Sequence, residues 1–300
     1  MPLKDWLAAV VVIGAWGVNF VMIKLGLSEV PPLLLGALRF IFVAFPAILF
    51  VKRPQLPWRV VVLYGLTISL GQFIFLFTAM SVGMPAGVAS VVLQAQAFFT
   101  VLIAALLLGE GVRGHNLLGM AAAVVGLVLI QQGAELGSLS VLGFLLTLVA
   151  ALCWATGNIV VKRAGQVNML SLVVWGALIP PLPFLALSWM LEGPQAIRAS
   201  LSGITYVGIS SVAYLSLVAT VIGYVLWGRL LMRHPASKVA PLSLAVPVLG
   251  LVAAALLLGE HMTLVQWAGS LIVLLGLAIN MFGSRLVAFV RRAWQAAVLR

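Results

Sequence analysis

The sequence predicts an all-α membrane protein of ten transmembrane helices, built as two inverted five-helix repeats. Three observations carry that prediction. The chain is 64% apolar and only 8% charged over 300 residues, whereas soluble domains are nearer half apolar and a quarter charged. Its mean hydropathy is +1.23, and its apolar residues fall in continuous runs instead of the ~10-residue alternating units of a barrel strand. One seven-residue run also occurs twice, as Ala104-Ala105-Leu106-Leu107-Leu108-Gly109-Glu110 and as Ala254-Ala255-Leu256-Leu257-Leu258-Gly259-Glu260.

A helix needs ~20 apolar residues to cross a bilayer, and charge, Gly and Pro divide the chain into ten such runs. The first, 5–26, contains Trp16, Asn19 and Lys24 and is too polar in its second half to be a cleaved signal peptide. The second, 31–52, opens on Pro31-Pro32 and closes at Lys52-Arg53; the third, 58–80, starts around Arg59. The fourth, 85–108, opens on Pro85 and ends at Gly109-Glu110, and the fifth, 114–131, follows Arg113. The sixth, 139–161, stops at Lys162-Arg163, and the seventh, 169–191, stops at Glu192. The eighth, 205–228, ends before Arg229; the ninth, 238–258, ends at Gly259-Glu260; the tenth, 264–283, precedes Arg285.

The charges orient these runs. Lys and Arg total 17 against 6 Asp and Glu, a formal +11, but they sit at the ends of apolar runs and form no nucleic-acid surface. Lys4, Lys52, Arg53, Arg59, Arg113, Lys162, Arg163, Arg229, Arg233, Lys238, Arg285, Arg291, Arg292 and Arg300 fall on one side, and Arg198 alone falls on the other. The positive-inside rule then puts both termini in the cytoplasm. Beyond Ser284, the tail 285–300 reads as a basic amphipathic helix on the inner leaflet, with Leu286, Phe289, Val290, Ala293 and Trp294 on one face.

The repeat extends beyond the seven residues, since Gly119 matches Gly269 and Gly126-Leu127 matches Gly276-Leu277, while Trp16 and Lys24 match Trp154 and Lys162. The halves are 1–135 and 136–284. Five spans each is an odd number, so successive copies enter the membrane in opposite directions, the arrangement of many secondary transporters.

These features resemble the EamA-type branch of the drug/metabolite transporter superfamily over residues 1–284. The residues that carry the resemblance are the Ala-Leu-Leu-Leu-Gly-Glu turns and the paired glycines of spans five and ten. Trp16-Gly17-Val18-Asn19-Phe20, Pro31-Pro32-Leu33, Leu38-Arg39-Phe40, Gly83-Met84-Pro85-Ala86-Gly87 and Leu93-Gln94-Ala95-Gln96-Ala97-Phe98-Phe99 are similar to inner-membrane exporters of amino acids, including O-acetylserine/cysteine and aromatic amino acid exporters. The resemblance implies a central cavity lined by the first four helices of each half, with the fifth and tenth outside it.

Polar side chains at mid-span are costly and face a cavity or a partner helix. Asn19, Gln72, Gln94, Gln96 and Asn158, with Ser210, Ser211 and Ser216, lie there. Amides donate and accept at once, which suits a zwitterion, or else they bond neighbouring helices. Trp16 and Trp154 occupy equivalent central positions and offer indole faces to a substrate; Trp175, Tyr214 and Tyr224 are candidates of the same kind, against core packing. Arg39, about two turns inside its span, meets an anionic group or backbone carbonyls, or else snorkels to the headgroups. Pro85, with Gly87, and Pro247 are candidate hinges, and Pro180, Pro181 and Pro183 interrupt the seventh span.

Asp5, Glu29, Glu110, Glu135, Glu192 and Glu260 all fall at span ends or in loops, as do His115, His234 and His261. No intramembrane acid is available for a proton or sodium relay, so gradient-driven exit is expected. The single Cys153 makes no disulfide or thiolate cluster and is a small packing residue. No motif points to a catalytic site, a metal or a cofactor. The expected partners are the lipid bilayer and a small amino-acid substrate, with a monomer sufficient for transport; a drug or other metabolite carrier of the same superfamily is the alternative. Gly119, Gly126, Gly269 and Gly276 allow close helix packing, either between protomers or within one.

Overall fold

The computed structural model describes residues 1–133 and 139–298, with side chains at 236–237 and 285–298 outside the description. Ten helices among the described residues are long and apolar enough to cross a membrane. They are α1 (Leu3–Leu27), α2 (Pro32–Leu49), α3 (Trp58–Ser81), α4 (Ala86–Leu108), α5 (Gly114–Gln132), α6 (Val141–Ala164), α7 (Met169–Glu192), α8 (Tyr206–Arg233), α9 (Ala240–Leu258) and α10 (Leu264–Ser284). The largest departure from expectation is α8, which stays helical through Arg233, whose Nη1 lies 3.1 Å from Asp5 Oδ1. The helix of α10 continues to Val298, but the faces of the expected amphipathic tail, like Glu135, lie outside the described residues.

Several helices begin at Pro or end at Gly. Pro sits at the N-cap of α2 and α4, where its missing N–H is no loss. The Gly-Glu turns close α4 and α9 identically, with Gly109 at φ 66° and Gly259 at φ 65°, a left-handed C-cap that favours glycine.

Six helices are irregular among the described residues, in three matching pairs. Helix α2 is interrupted after Ala44 and ends in the 3-10 turn Ala47–Leu49, and α7 is interrupted between Gly176 and Pro181, as its prolines predict, and ends π-helical at Ser188–Glu192. Gly65–Gly71 in α3 and Tyr214–Ile222 in α8 are π-helical. Helix α4 is broken at Leu93-Gln94, where the Gln96 and Ala97 N–H groups bond three residues back to Leu93 and Gln94, and α9 begins with a 3-10 stretch, Ala240–Leu244. Pro247 lies just after that stretch, in the first turn of regular helix. A helix interrupted at membrane depth is tolerated only where it borders protein or a cavity.

Helices α5 and α10 pack along each other through four glycines. A Cβ on Gly119 would lie 2.6 Å from the Gly276 carbonyl oxygen, and one on Gly276 would lie 2.6 Å from that of Gly119. Gly126 and Gly269 repeat this relationship at 2.5 and 2.6 Å. The close packing allowed by these glycines therefore lies within one chain, and the contact is reciprocal between the two halves. Asn116 Nδ2 donates to Asn280 Oδ1 at 2.6 Å near the end of the same seam. Cys153 packs against α3, its Sγ 3.0 Å from where a Cβ on Gly71 would be.

Candidate substrate cavity and its seals

A cavity of about 440 Å³ lies between the halves, within the range of small-molecule sites. Its walls come from α1 (Trp16, Asn19, Phe20), α2 (Arg39), α3 (Tyr64, Gln72, Phe73) and α4 (Ser90, Gln94, Gln96). The second half contributes α6 (Trp154, Asn158), α7 (Met169), α8 (Tyr224, Trp227) and α9 (Ser243, Val246). Neither α5 nor α10 lines it. The irregular stretches are beside it: Ile68 and Ala219 belong to the π-helical segments, and Leu93, Gln94 and Ser243 to the interruptions of α4 and α9.

The amides divide by what they already bond. Asn158 Nδ2 donates to Gln96 Oε1 at 2.9 Å and to Thr100 Oγ1 at 3.2 Å, tying α6 to α4. Gln72 and Gln94 are buried and make no side-chain hydrogen bond among the described residues. The Asn19 amide oxygen is shut off from water without a partner. Trp16 donates through Nε1 to the Ala219 carbonyl at 2.9 Å and packs at tilted angles on Tyr224 and Trp227, centroids 5.5 and 5.4 Å away. Trp154 lines the cavity and is partly buried.

Arg39 does not snorkel. It is 4% exposed, with Nη2 donating to Thr220 Oγ1 at 3.0 Å and its guanidinium carbon 4.0 Å from the Phe73 ring centroid. That face contact is worth about 0.5–2 kcal/mol. Tyr214 is not among the lining residues; it turns to α1, where its hydroxyl donates to the Ala15 carbonyl at 3.1 Å. Ser216 bonds the Arg39 and Val212 carbonyls, and Ser210 bonds Val207. Ser211 is buried without a partner, and Trp175 donates to Val51 and packs on Trp58. None of these four borders the cavity.

A family model described as "EamA-like transporter family" matches residues 4–132 and again 141–282. The chain belongs to the EamA-like transporter family. It is 52% identical over 290 residues to a Salmonella typhimurium protein named "Probable amino-acid metabolite efflux pump", covering 95% of this chain and 97% of that one. An Escherichia coli protein of the same name is 49% identical over 290 residues, at 95% and 97% coverage. A crystal structure with 23% sequence identity superposes at a TM-score of 0.62 over 92% of this chain and 95% of its own, a likeness of fold.

In this EamA-like transporter the two ends of the cavity differ. At the end away from the basic loops, three carboxylates each cap a helix start in the opposite half. Glu192 accepts from the Leu33 and Leu34 N–H at 2.6 and 3.1 Å, and from Ser188 Oγ at 2.6 Å. Glu260 accepts from the Ala86 and Gly87 N–H at 2.7 and 2.9 Å. Glu29 accepts from the Thr205 N–H at 2.9 Å, the Gly208 N–H at 3.1 Å and the Thr205 hydroxyl. The Thr205 contacts hold the Glu29 carboxyl below its ordinary pKa, more than offsetting the opposite effect of burial. A carboxylate at a helix N-terminus satisfies orphan N–H groups and complements the dipole.

At the basic end, Glu110 pairs with Lys162 at 2.6 Å in an exposed setting, and Asp5 joins Arg233 at 3.1 Å and His234 at 2.8 Å. The lining reaches Met169, the first residue of α7, and Leu231, near the end of α8. On the sealed side it stops at Phe20, Leu76 and Ser90, a turn or more short of the helix ends. The cavity therefore opens toward the basic end. Sequence reasoning missed Trp227, Tyr64, Phe73, Ser90 and Ser243 as lining residues, and it missed the helix-capping role of the three carboxylates.

Proposed function

We propose that this protein is an inner-membrane exporter of amino acids and related small neutral metabolites, aromatic and sulfur-containing ones among them. It works by alternating access around the central cavity. The observation that carries the reading is a largely apolar cavity shared by both halves, into whose walls amides, indoles and one cation are set: Asn19, Gln72, Gln94, Gln96 and Asn158 beside Trp16, Trp154 and Arg39. Neutral amides serve both ends of a zwitterion, and indoles take an apolar or aromatic side chain. The relatives named as amino-acid metabolite efflux pumps support the same substrate class.

Two inverted halves, 1–135 and 136–284, supply the two access states. The reciprocal contact of Gly119 and Gly126 with Gly276 and Gly269 supports that relationship. So do the two identical Gly-Glu turns: Glu260 seals the closed end while Glu110 is at the open one. With both termini in the cytoplasm, the present state is open inward. Pro85, at the capped start of α4, and Pro247, after the 3-10 stretch of α9, are the proposed hinges. A monomer suffices, and efflux runs down the substrate gradient.

Purified protein in liposomes tests this with radiolabelled neutral, aromatic, sulfur-containing and charged amino acids. Saturable flux of the neutral and aromatic ones, weakened by Gln94→Ala and Trp154→Ala, is expected. Absence of flux for every amino acid would move the assignment to another metabolite or drug. Uphill accumulation driven by an imposed pH gradient would replace gradient-driven exit with proton coupling.

A further inference from the structure

We propose that Arg39 is a carboxylate-binding subsite in the cavity wall, so that the molecules moved must carry a free carboxylate. This deepens the exporter reading and rests on it. Arg39 lines the cavity and is 4% exposed; Nη2 donates to Thr220 Oγ1, whereas Nε and Nη1 are buried with no hydrogen-bond partner among the described residues, so a carboxylate reaches them once the side chains covering them shift. A guanidinium presents five N–H donors in a planar fork that matches a carboxylate. The Phe73 ring covers one face at 4.0 Å, so an anion is directed to the edge.

Nothing among the described residues supplies that anion. The carboxylates there are engaged at helix ends, as Glu260 is with Ala86 and Gly87, and as Glu110 is with Lys162. The other polar groups of the cavity are neutral. A buried cation with unused donors is unfavourable on its own, and a carboxylate that offers two oxygens relieves it. A single fixed cation balances a single negative charge. A dianion such as a nucleotide leaves charge uncompensated, and a cationic amine without a carboxylate meets only repulsion from Arg39. The unpartnered Asn19 amide oxygen supplies an acceptor for an ammonium in the same cavity.

The test uses the purified full-length protein and two readouts. Phenylglyoxal modifies guanidinium groups, and peptide mass spectrometry follows Arg39 alone. The bare carboxylate 3-phenylpropionate is expected to protect Arg39, whereas 3-phenylpropanamide at the same concentration is not. Equal labelling with the two probes, or no labelling of Arg39 under any condition, overturns the subsite.

In liposomes, counterflow of L-phenylalanine is expected to exceed that of L-phenylalaninamide by about tenfold or more, the effect of one charge-assisted pair. Arg39→Lys should keep part of that preference and Arg39→Gln should abolish it. If the glutamine variant does not fold, the parent's labelling and flux ratio still decide. Acid and amide moved equally well would sink the subsite and leave the exporter reading standing. Protection of Arg39 by 3-phenylpropionate without flux of any amino acid would uphold the subsite and sink the exporter reading.

Discussion

Glu260 of the second half holds the first turn of α4 in the first half, its two carboxylate oxygens accepting from the Ala86 and Gly87 N–H at 2.7 and 2.9 Å. The approach is close enough that a Cβ on Gly87 would lie 3.1 Å from the Ala254 Cβ and 3.4 Å from a Glu260 oxygen. In Glu260→Gln one oxygen and the charge are lost, at a cost of about 1 kcal/mol for a carboxylate on a helix N-terminus. The sealed end should then open more often. Ser90→Cys in a Cys153→Ala background reports this, and a membrane-impermeant maleimide added at the sealed face should label it several-fold faster with Glu260→Gln. Unchanged labelling would mean that the Glu260 cap does not limit opening at this end.

Glu29 gives the same closure a pH dependence. Its pKa lies below the ordinary 4.5 because Thr205 hydrogen-bonds the ionised form. A depressed folded-state pKa contributes stability that is complete above the unfolded value and is lost as pH falls through the folded one. Thermal melting in detergent should therefore show the parent losing its advantage over Glu29→Gln below about pH 4.5, with a constant difference above it. Thr205→Val removes one donor to the ionised form, so the folded-state pKa moves back toward the ordinary value: the loss should begin at the same pH but be smaller and finish at a higher pH. A parent-to-variant difference that does not change with pH would show that the Thr205 and Gly208 contacts do not depend on the charge.

The glycine seam should behave as a structural element separate from the cavity. A Cβ on Gly126 would lie 2.5 Å from the Gly269 carbonyl oxygen, which is backbone and cannot swing away. Gly126→Val should force α5 and α10 apart and cost about 1–3 kcal/mol or more, the range of an overpacked core. Melting temperature and yield should fall, while the folded fraction keeps its substrate affinity, because no lining residue comes from either helix. A loss of affinity without a loss of stability would place α5 and α10 in the transport cycle itself.

The ten spans were legible because membrane helices write themselves as uninterrupted apolar runs, and the charged residues at their ends mark the turns. The amides of the cavity were legible for a related reason, since Gln72 and Gln94 stand out in apolar surroundings. Tyr214 and Tyr224 could not be told apart in that way. The π-helical stretch begins at Tyr214 and ends two residues before Tyr224; its wider turns change the angle between the two from that of a regular helix, and Tyr214 faces α1 while Tyr224 faces the cavity. Neither that stretch nor the break at Leu93-Gln94 carries a proline of its own as a signal. Trp227, two residues from Arg229, reads as an interfacial anchor until Trp16 is seen packed on it. The carboxylate caps were hidden because each joins residues far apart in the chain, such as Glu29 and Thr205.

The amides of the cavity should separate into two classes on substitution. Gln72 and Gln94 have no side-chain hydrogen bond to the protein among the described residues, so Gln72→Leu and Gln94→Leu should leave stability within about 0.5 kcal/mol. Their effect should appear in substrate flux. Asn158→Leu is different, because it strips Gln96 Oε1 and Thr100 Oγ1 of the donor that ties α6 to α4. That should cost about 0.6–1.7 kcal/mol of stability, the range for interhelical hydrogen bonds in membranes, together with flux. The checks are melting temperature and flux on the same preparations. If Gln94→Leu melted as low as Asn158→Leu, Gln94 would be holding helices together, and its place among the substrate-contacting residues would be lost.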